Sequence, residues 1–137
     1  MTRRSLTLGS ALWLAVLSTV ACAPGARDPT PPPGSHEMLR ASIEAAPGLE
    51  VVLSDVVIPP DATAPSHAHP GEELVYVLSG SAVHMEEGKP DRLVKAGEAL
   101  RIAPGVVHAP RGGPEGARAI VFRVHVQGAP ERARVAE

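Results

Sequence analysis

The segment HAHPGEELVYVLSG, residues 67–80, carries the pattern from which the fold of this chain can be predicted. Side chains two residues apart on a strand point to the same side, so His67 and His69 project together. A turn at Pro70-Gly71 lets a second strand begin, and Glu73 can return to the same face, followed by alternating valines. The segment therefore predicts two strands joined by a turn, with two imidazoles and one carboxylate on one face.

Short apolar runs broken by turn residues continue on both sides of this segment. Strands are predicted at 49–53, 56–58, 74–78, 81–85, 92–94, 100–102 and 119–126. The turn residues recur about every 8–12 residues, which indicates an all-β sandwich or barrel. Only Glu37 to Ala46 could be helical, since Pro47-Gly48 would end that helix.

The N-terminus has the layout of a bacterial export signal. Arg3-Arg4 precede an uncharged, mostly apolar run from Leu6 to Val20, and Ala21 supplies the small residue before a cut. The run is shorter than the roughly 20 residues that span a bilayer. Proline-rich sequence follows and is typical of a semi-rigid spacer. We expect an export signal at 1–21, a proline-rich linker at 22–36 and one folded domain at 37–137.

Cys22 is the only cysteine, so no intramolecular disulfide can form. It directly follows Ala21, as in the lipobox of bacterial lipoproteins, where the cysteine is lipidated and becomes the mature N-terminus. Ordinary signal cleavage is the alternative, and Arg3-Arg4 also resemble a twin-arginine signal. We expect an exported protein on the periplasmic face of a bacterial membrane, attached only through a lipid at Cys22.

A second stretch completes a set of possible metal ligands. Gly97 is followed at 104–105 by a Pro-Gly turn and then by His108. If that strand pairs near the first segment, the imidazole of His108 joins those of His67 and His69 and the carboxylate of Glu73. These are ligands that borderline divalent metals prefer. The formal net charge is only -2, with no basic stripe of the kind that nucleic acid requires.

The two stretches resemble the two motifs of the cupin superfamily. The pattern H-x-H-x3-E-x6-G of residues 67–80 is similar to the first motif, and G-x6-P-G-x2-H of residues 97–108 is similar to the second. The resemblance covers about residues 51–126 and implies a double-stranded β-helix, also called a jelly roll or cupin barrel. It implies one divalent metal ion (Fe, Mn, Ni or Zn) near an open end, held by His67, His69, Glu73 and His108.

Three positions depart from the family pattern. Asp61 replaces the glycine that usually opens the first motif, Ala103 replaces a proline, and Gly112 replaces the asparagine that usually closes the second. None of these changes removes a metal ligand. Cupins often dimerise through exchanged edge strands, and Val51-Val52-Leu53 could serve in a homodimer.

Four polar residues are candidates for supporting the ligands or contacting a substrate: Glu72, Arg111, Arg123 and His125. Glu72 competes with Glu73 as the ligand but should face the other way, either solvated or orienting a histidine. In the simplest arrangement Phe122, Val124 and Val126 face the core, which leaves Arg123 and His125 in solvent. The inverted register would instead make Arg123 a carboxylate anchor, because its planar fork suits bidentate pairing.

Two further side chains are expected away from the chemistry. His84 alternates with Val83 and Met85 and is expected outside the barrel, and Tyr76 has the opposite parity from Glu73.

Three imidazoles and one carboxylate would leave a six-coordinate ion with two adjacent open positions, and an open position is typical of catalytic metal sites. We therefore expect a metal-dependent enzyme, either a dioxygenase or an isomerase or lyase. A non-catalytic small-ligand or metal-binding module is the alternative. Aromatic residues make up only 2% of the chain, which disfavours stacking platforms and favours a small oxygen-rich ligand.

Overall fold

The computed structural model describes residues 29–134, which form eight strands. They are β1 (Gly34–Ser42), β2 (Leu49–Ile58), β3 (His67–Ala68), β4 (Glu72–Glu86), β5 (Arg92–Lys95), β6 (Ala99–Ile102), β7 (His108–Val126) and β8 (Ala133–Arg134). Among these residues, no helix has the length and apolar character that a membrane crossing requires. The predicted export signal and Cys22 lie outside the described residues.

Two long antiparallel strands, β4 and β7, run through the whole domain and pair with each other from Glu72↔Val124 to Glu86↔His108. At one end, β7 also pairs with β2 and β4 pairs with β6, and β1 lies outside β2. At the other end, β7 pairs with β3, β3 pairs with β8, and β4 pairs with β5. Each long strand therefore belongs to two layers, as in the double-stranded β-helix that was expected.

The prediction of a helix at Glu37–Ala46 is wrong. Residues 34–42 form β1, which pairs with β2 from Gly34↔Val57 to Ser42↔Glu50. Pairing with a neighbouring strand overrides a local helix preference that is weak in itself. β1 also begins three residues before the expected domain boundary at residue 37. The segment 51–53 was expected to serve as an edge strand. It is not at an edge, because β2 lies between β1 and β7.

The orientation expected for the last strand is also wrong. Arg123 and His125 are buried, whereas Phe122 is 36% and Val126 57% exposed. The register explains this, because Arg123 lies opposite buried Glu73 on β4 and His125 lies opposite buried Glu50 on β2. Each of these two buried side chains thus lies beside an acidic one. The main apolar cluster is small and consists of Val77, Val94, Leu100 and Ile102, with Val75 and Val106 packed against it. The other buried apolar residues are Val52, Ala117, Ala119 and Val121.

Two backbone features, an unusual conformation and a close approach, shape the loops near the metal motif. Asp61 has a φ of 55°, in the left-handed region that glycine adopts most easily. Aspartate is among the residues that tolerate this region, so Asp61 can replace the family glycine. Gly71 lies so close to β7 that an added Cβ would stand 1.7 Å from the carbonyl oxygen of Val124. This contact lets the turn at 70–71 press β4 against β7.

Candidate metal centre

The three histidines of the two motifs meet at one end of the barrel. His67 on β3 is paired directly with His108 at the start of β7, and His69 follows two residues after His67. The backbone N–H of Gly105 donates to the carbonyl of His69 at 2.8 Å, which ties the second motif's turn to the first motif. The ring centroids lie 4.4–5.6 Å apart. One ring nitrogen from each histidine lies within 4.8 Å of the other two.

Backbone carbonyls fix which nitrogen of each ring is free. The Nδ1 atoms of His67, His69 and His108 lie 2.7, 2.5 and 3.1 Å from the carbonyl oxygens of Pro65, Glu131 and Val106. A carbonyl only accepts, so each Nδ1 must carry the proton and donate it. In the neutral form, each ring therefore has its Nε2 lone pair available for a metal, as is usual for histidine ligands.

Glu73 lies against the same nitrogens. Its Oε2 is 3.0 Å from His69 Nε2 and its Oε1 is 3.7 Å from His108 Nε2, and all three side chains are buried. Within residues 29–134, neither Nε2 has a hydrogen-bond partner. A lone pair facing a carboxylate oxygen is unfavourable unless a cation lies between them, so the donor set fits a bound metal ion. Three histidines thus form a candidate metal centre, with Glu73 placed as a possible fourth donor.

Arg123 holds the carboxylate of Glu73 in place. Its Nε donates to Glu73 Oε2 at 2.7 Å, and its Nη1 donates to Ser54 Oγ at 3.4 Å. Burial alone would raise the pKa of Glu73, but the contacts with His108 and His69 and the charge of Arg123 hold it well below the usual range. Glu73 is therefore ionised.

His67 is held in its neutral form. Burial lowers the pKa of His67 to about 4, and the charges of His108 and Arg132 act in the same direction, against the hydrogen bond to the Pro65 carbonyl. A neutral imidazole is the form that binds a metal.

The metal centre opens into a cavity of about 320 Å3 inside the barrel. Its walls are mainly aliphatic and come from both layers, and they include Val75, Val77, Leu100, Ile102 and Val121. The polar residues that line it are Ser35, Thr63, His67, Glu73, His84, His108, Arg123 and Arg132. A cavity of this kind suits a small ligand whose apolar part fills the barrel.

His84 was expected outside the barrel, and this is wrong. The side chain is buried and lines the cavity, with its ring centroid 5.5 Å from that of His108. The pairing of β4 with β7 shifts register around Gly80, where φ is 69°. Residues 73, 75 and 77 face inward before this irregularity, and residues 82 and 84 face inward after it. Burial lowers the pKa of His84, with the charge of His108 acting in the same direction.

The other predicted polar residues lie away from the cluster. Glu72 is half-buried and accepts a hydrogen bond from exposed Arg101, so backbone carbonyls and not Glu72 orient the histidines. Arg111 is exposed and does not line the cavity. The buried ring of His125 lies beside Glu50, with 3.2 Å between Nε2 and Oε1. Tyr76 is 48% exposed.

Residues beyond the two motifs also contribute, and sequence reasoning missed them. The carbonyl of Glu131 orients His69, and Arg132 lines the cavity. Both belong to the segment leading into β8, which pairs with β3. No signal in a single sequence connects residues 131 and 132 to a motif more than sixty positions earlier.

The fold and the histidine cluster together define a small β-barrel with a candidate metal centre of three histidines at one end. The sequence model of the cupin domain matches residues 54–123, and the chain belongs to the cupin family. No match was found among curated proteins by sequence.

Solved structures agree with this assignment. A conserved protein with a double-stranded β-helix domain from Klebsiella pneumoniae is 26% identical, with a TM-score of 0.56 over 81% of this chain and 90% of that one. A cupin-like protein from Thermotoga maritima is 30% identical, with a TM-score of 0.54 over 63% of this chain and 65% of that one.

An oxalate oxidase in complex with the substrate analogue glycolate is 25% identical, with a TM-score of 0.51 over 64% of this chain and 46% of that one. This chain thus spans about half the length of the oxalate oxidase and about two thirds of the length of the Thermotoga protein.

Proposed function

We propose that this chain is an exported, mononuclear, metal-dependent cupin enzyme that acts on a small oxygen-rich organic molecule, as a dioxygenase or as an isomerase or lyase. One observation carries the proposal. Three buried imidazoles have their Nδ1 atoms bound to backbone carbonyls and their remaining nitrogens directed to one point beside Glu73, at the edge of a cavity. A purely structural metal would not need that adjoining space.

The expected cofactor is one divalent ion, Fe, Mn, Ni or Zn, with His67, His69, His108 and Glu73 as the residues that would hold it. Such an ion supplies Lewis acidity toward a substrate carbonyl or, if it is iron, a site for dioxygen. Three neutral imidazoles and one carboxylate compensate only part of a 2+ charge. An electron-rich oxygen ligand is therefore favoured at this end of the cavity.

The chain's own residues provide the remaining functions. Arg123 keeps Glu73 ionised and oriented. The aliphatic walls exclude water and receive the apolar part of a substrate. His84 lines the same cavity outside the ligand set, and its Nε2 lies 3.5 Å from Glu86 Oε2. Because its lowered pKa keeps the ring neutral, His84 can accept a proton from a bound substrate.

The similarity to an oxalate oxidase that binds glycolate supports a small oxygen-rich substrate. The reaction of that longer enzyme is not transferred to this chain.

Metal analysis followed by substrate screening tests the proposal. The purified protein is expected to contain or take up one metal ion per chain, and metal-loaded protein is expected to convert a member of a panel of keto acids and catechols, or to consume oxygen with it. Stabilisation by a compound without conversion would instead identify a non-catalytic binding module. Failure to bind stoichiometric metal after reconstitution would contradict both functions.

Export and lipid attachment are proposed from the N-terminal sequence. The apolar run of residues 6–20 ahead of Ala21-Cys22 supports them. Labelling of the expressed protein with palmitate in a bacterial host is expected to depend on Cys22 and to be lost in Cys22→Ser. Labelling that persists in this variant, or recovery of the protein from the cytoplasm, would contradict the proposal.

A further inference from the structure

The segment that follows β7 crosses the open end of the barrel beside the metal centre. β8 pairs with β3 through His67↔Arg134 and Ala68↔Ala133. Just before β8, the carbonyl of Glu131 accepts the hydrogen bond from His69 Nδ1. This segment, residues 131–134, therefore contacts both the strand that carries His67 and the side chain of His69.

The segment is held from the other side by β1. The Glu131 carboxylate pairs with Arg40, and the Arg40 guanidinium also pairs with buried Glu50 at 2.5 Å. Glu131 thus makes one contact through its backbone to the metal centre and one through its side chain to β1. These two contacts fix the position of the next residue, Arg132.

Two guanidinium groups line the cavity, and they differ in what they already bind. Arg123 is buried and engaged with Glu73 and Ser54. No ion pair or side-chain hydrogen bond joins the guanidinium of Arg132 to another residue between 29 and 134. Arg132 is exposed, and it lines both the barrel cavity and a smaller cavity of about 280 Å3 beside His69.

The composition of the cavity defines the ligand that would use this cation. Apart from the metal centre, His84 and the engaged Arg123, the walls are mostly aliphatic side chains. A ligand that satisfies both features has a short apolar body and one negative charge. A planar guanidinium binds a carboxylate through two parallel hydrogen bonds.

We propose that Arg132 anchors the carboxylate of a small aliphatic carboxylic acid substrate at the mouth of the barrel and thereby sets the charge selectivity of the site. The inference rests on the proposed function, since it names the substrate class for the same cavity. It also differs from the alternative raised by the sequence, in which an inverted register would make Arg123 the anchor.

Charge selectivity can be measured with a matched pair of probes. Isobutyrate and isobutyramide have almost the same shape, and only the first is charged at pH 7. Their binding to Zn2+-loaded protein is measured by isothermal titration calorimetry for the wild type and for Arg132→Gln, Arg132→Lys and Arg111→Gln. Arg111 is the control because it is an exposed arginine that does not line the cavity. Zn2+ affinity is measured for each variant in parallel.

We expect the wild type to bind isobutyrate about 10- to 100-fold more tightly than isobutyramide, the range for a charged hydrogen-bonded pair. Arg132→Gln should remove most of this preference without changing Zn2+ affinity, leaving only the part that the metal ion itself provides. Arg132→Lys should retain more of it, but less than the wild type because a point charge lacks the fork. Arg111→Gln should match the wild type. The preference should also weaken as salt is raised, because Arg132 is exposed.

The outcomes separate this inference from the proposed function. Failure of the wild type to bind Zn2+ would count against the metal centre itself. Normal Zn2+ binding with no preference for isobutyrate, or with a preference as large in Arg132→Gln as in the wild type, would overturn the role of Arg132 and leave the metal centre intact. Loss of Zn2+ affinity in Arg132→Gln would also overturn it, because the residue would then act through the segment that supports His69.

Discussion

Replacing Arg123 with glutamine is expected to destabilise the metal-free protein severely and the metal-loaded protein much less. Arg123 Nε lies 2.7 Å from Glu73 Oε2, and the two side chains are only 8% and 7% exposed. Removing one partner of a buried pair leaves a charge without compensation, at a cost of about 3–5 kcal/mol. For a domain of about 100 residues, each kcal/mol lowers the melting temperature by about 4–8 °C. We therefore expect Arg123→Gln to melt at least about 12 °C below the wild type without metal.

A bound divalent ion would supply the positive charge that Glu73 loses in Arg123→Gln. The difference between variant and wild type should therefore shrink when both are saturated with metal. Differential scanning calorimetry of each protein with and without metal measures both differences.

The pair Arg101–Glu72, which joins β6 to β4 at the residue next to Glu73, provides a control. Its side chains are 64% and 34% exposed, and such surface pairs contribute about 0–1 kcal/mol. Arg101→Gln should therefore lower the melting temperature by only a few degrees. In the metal-free protein, Glu73→Gln added to Arg123→Gln should recover stability, because it removes the unpaired charge. The reasoning is refuted if Arg123→Gln melts close to Arg101→Gln without metal, or if the second substitution restores nothing.

Three further predictions concern the metal ligands, pH and the core. His108→Ala should weaken metal binding by more than about 100-fold, since even the loss of a supporting contact typically costs 10–100-fold. Equilibrium dialysis measures the metal affinity of this variant, with His36→Ala as the control. Equal affinities in the two variants would contradict the prediction. The metal-free protein should lose about 2 kcal/mol between pH 7 and pH 5, because unfolded His67 takes up a proton near pH 6.5 and folded His67 only near pH 4. Urea unfolding at both pH values measures this, and the loss should shrink in His67→Gln; equal losses in the two proteins would refute the assignment. Val77→Ala, at a position with no exposed surface, should cost about 2 kcal/mol in urea unfolding, and a cost no larger than that of Val83→Ala would show that the core is loosely packed.

The sequence predicted the parts of the fold that local patterns determine. Alternation places His67 and His69 on one side, and the structure puts both rings in the cluster with His108. The spacing of turn residues indicated an all-β barrel, and the barrel is present. Those inferences needed only the two-residue period of a strand and the conformations of glycine and proline.

The errors arose where pairing between distant strands decides the outcome. The even positions of 122–126 are apolar and were therefore expected to face the core. Arg123 and His125 face inward instead, because they lie opposite the buried acidic residues Glu73 and Glu50 on the neighbouring strands. The inward position of His84 depends on a register shift near Gly80 that alternation alone does not contain. The strand at 34–42 forms because β2 offers a free edge.

Every imidazole in the cluster takes its orientation from a main-chain oxygen. The backbone conformation therefore determines the tautomer of each ring, and the surrounding side chains do not. Substitutions of the aliphatic residues that line the cavity could therefore change which ligand fits, while the orientation of the nitrogen donors stays the same. Such a division of labour would let related barrels diverge in chemistry without rebuilding the centre on which that chemistry depends.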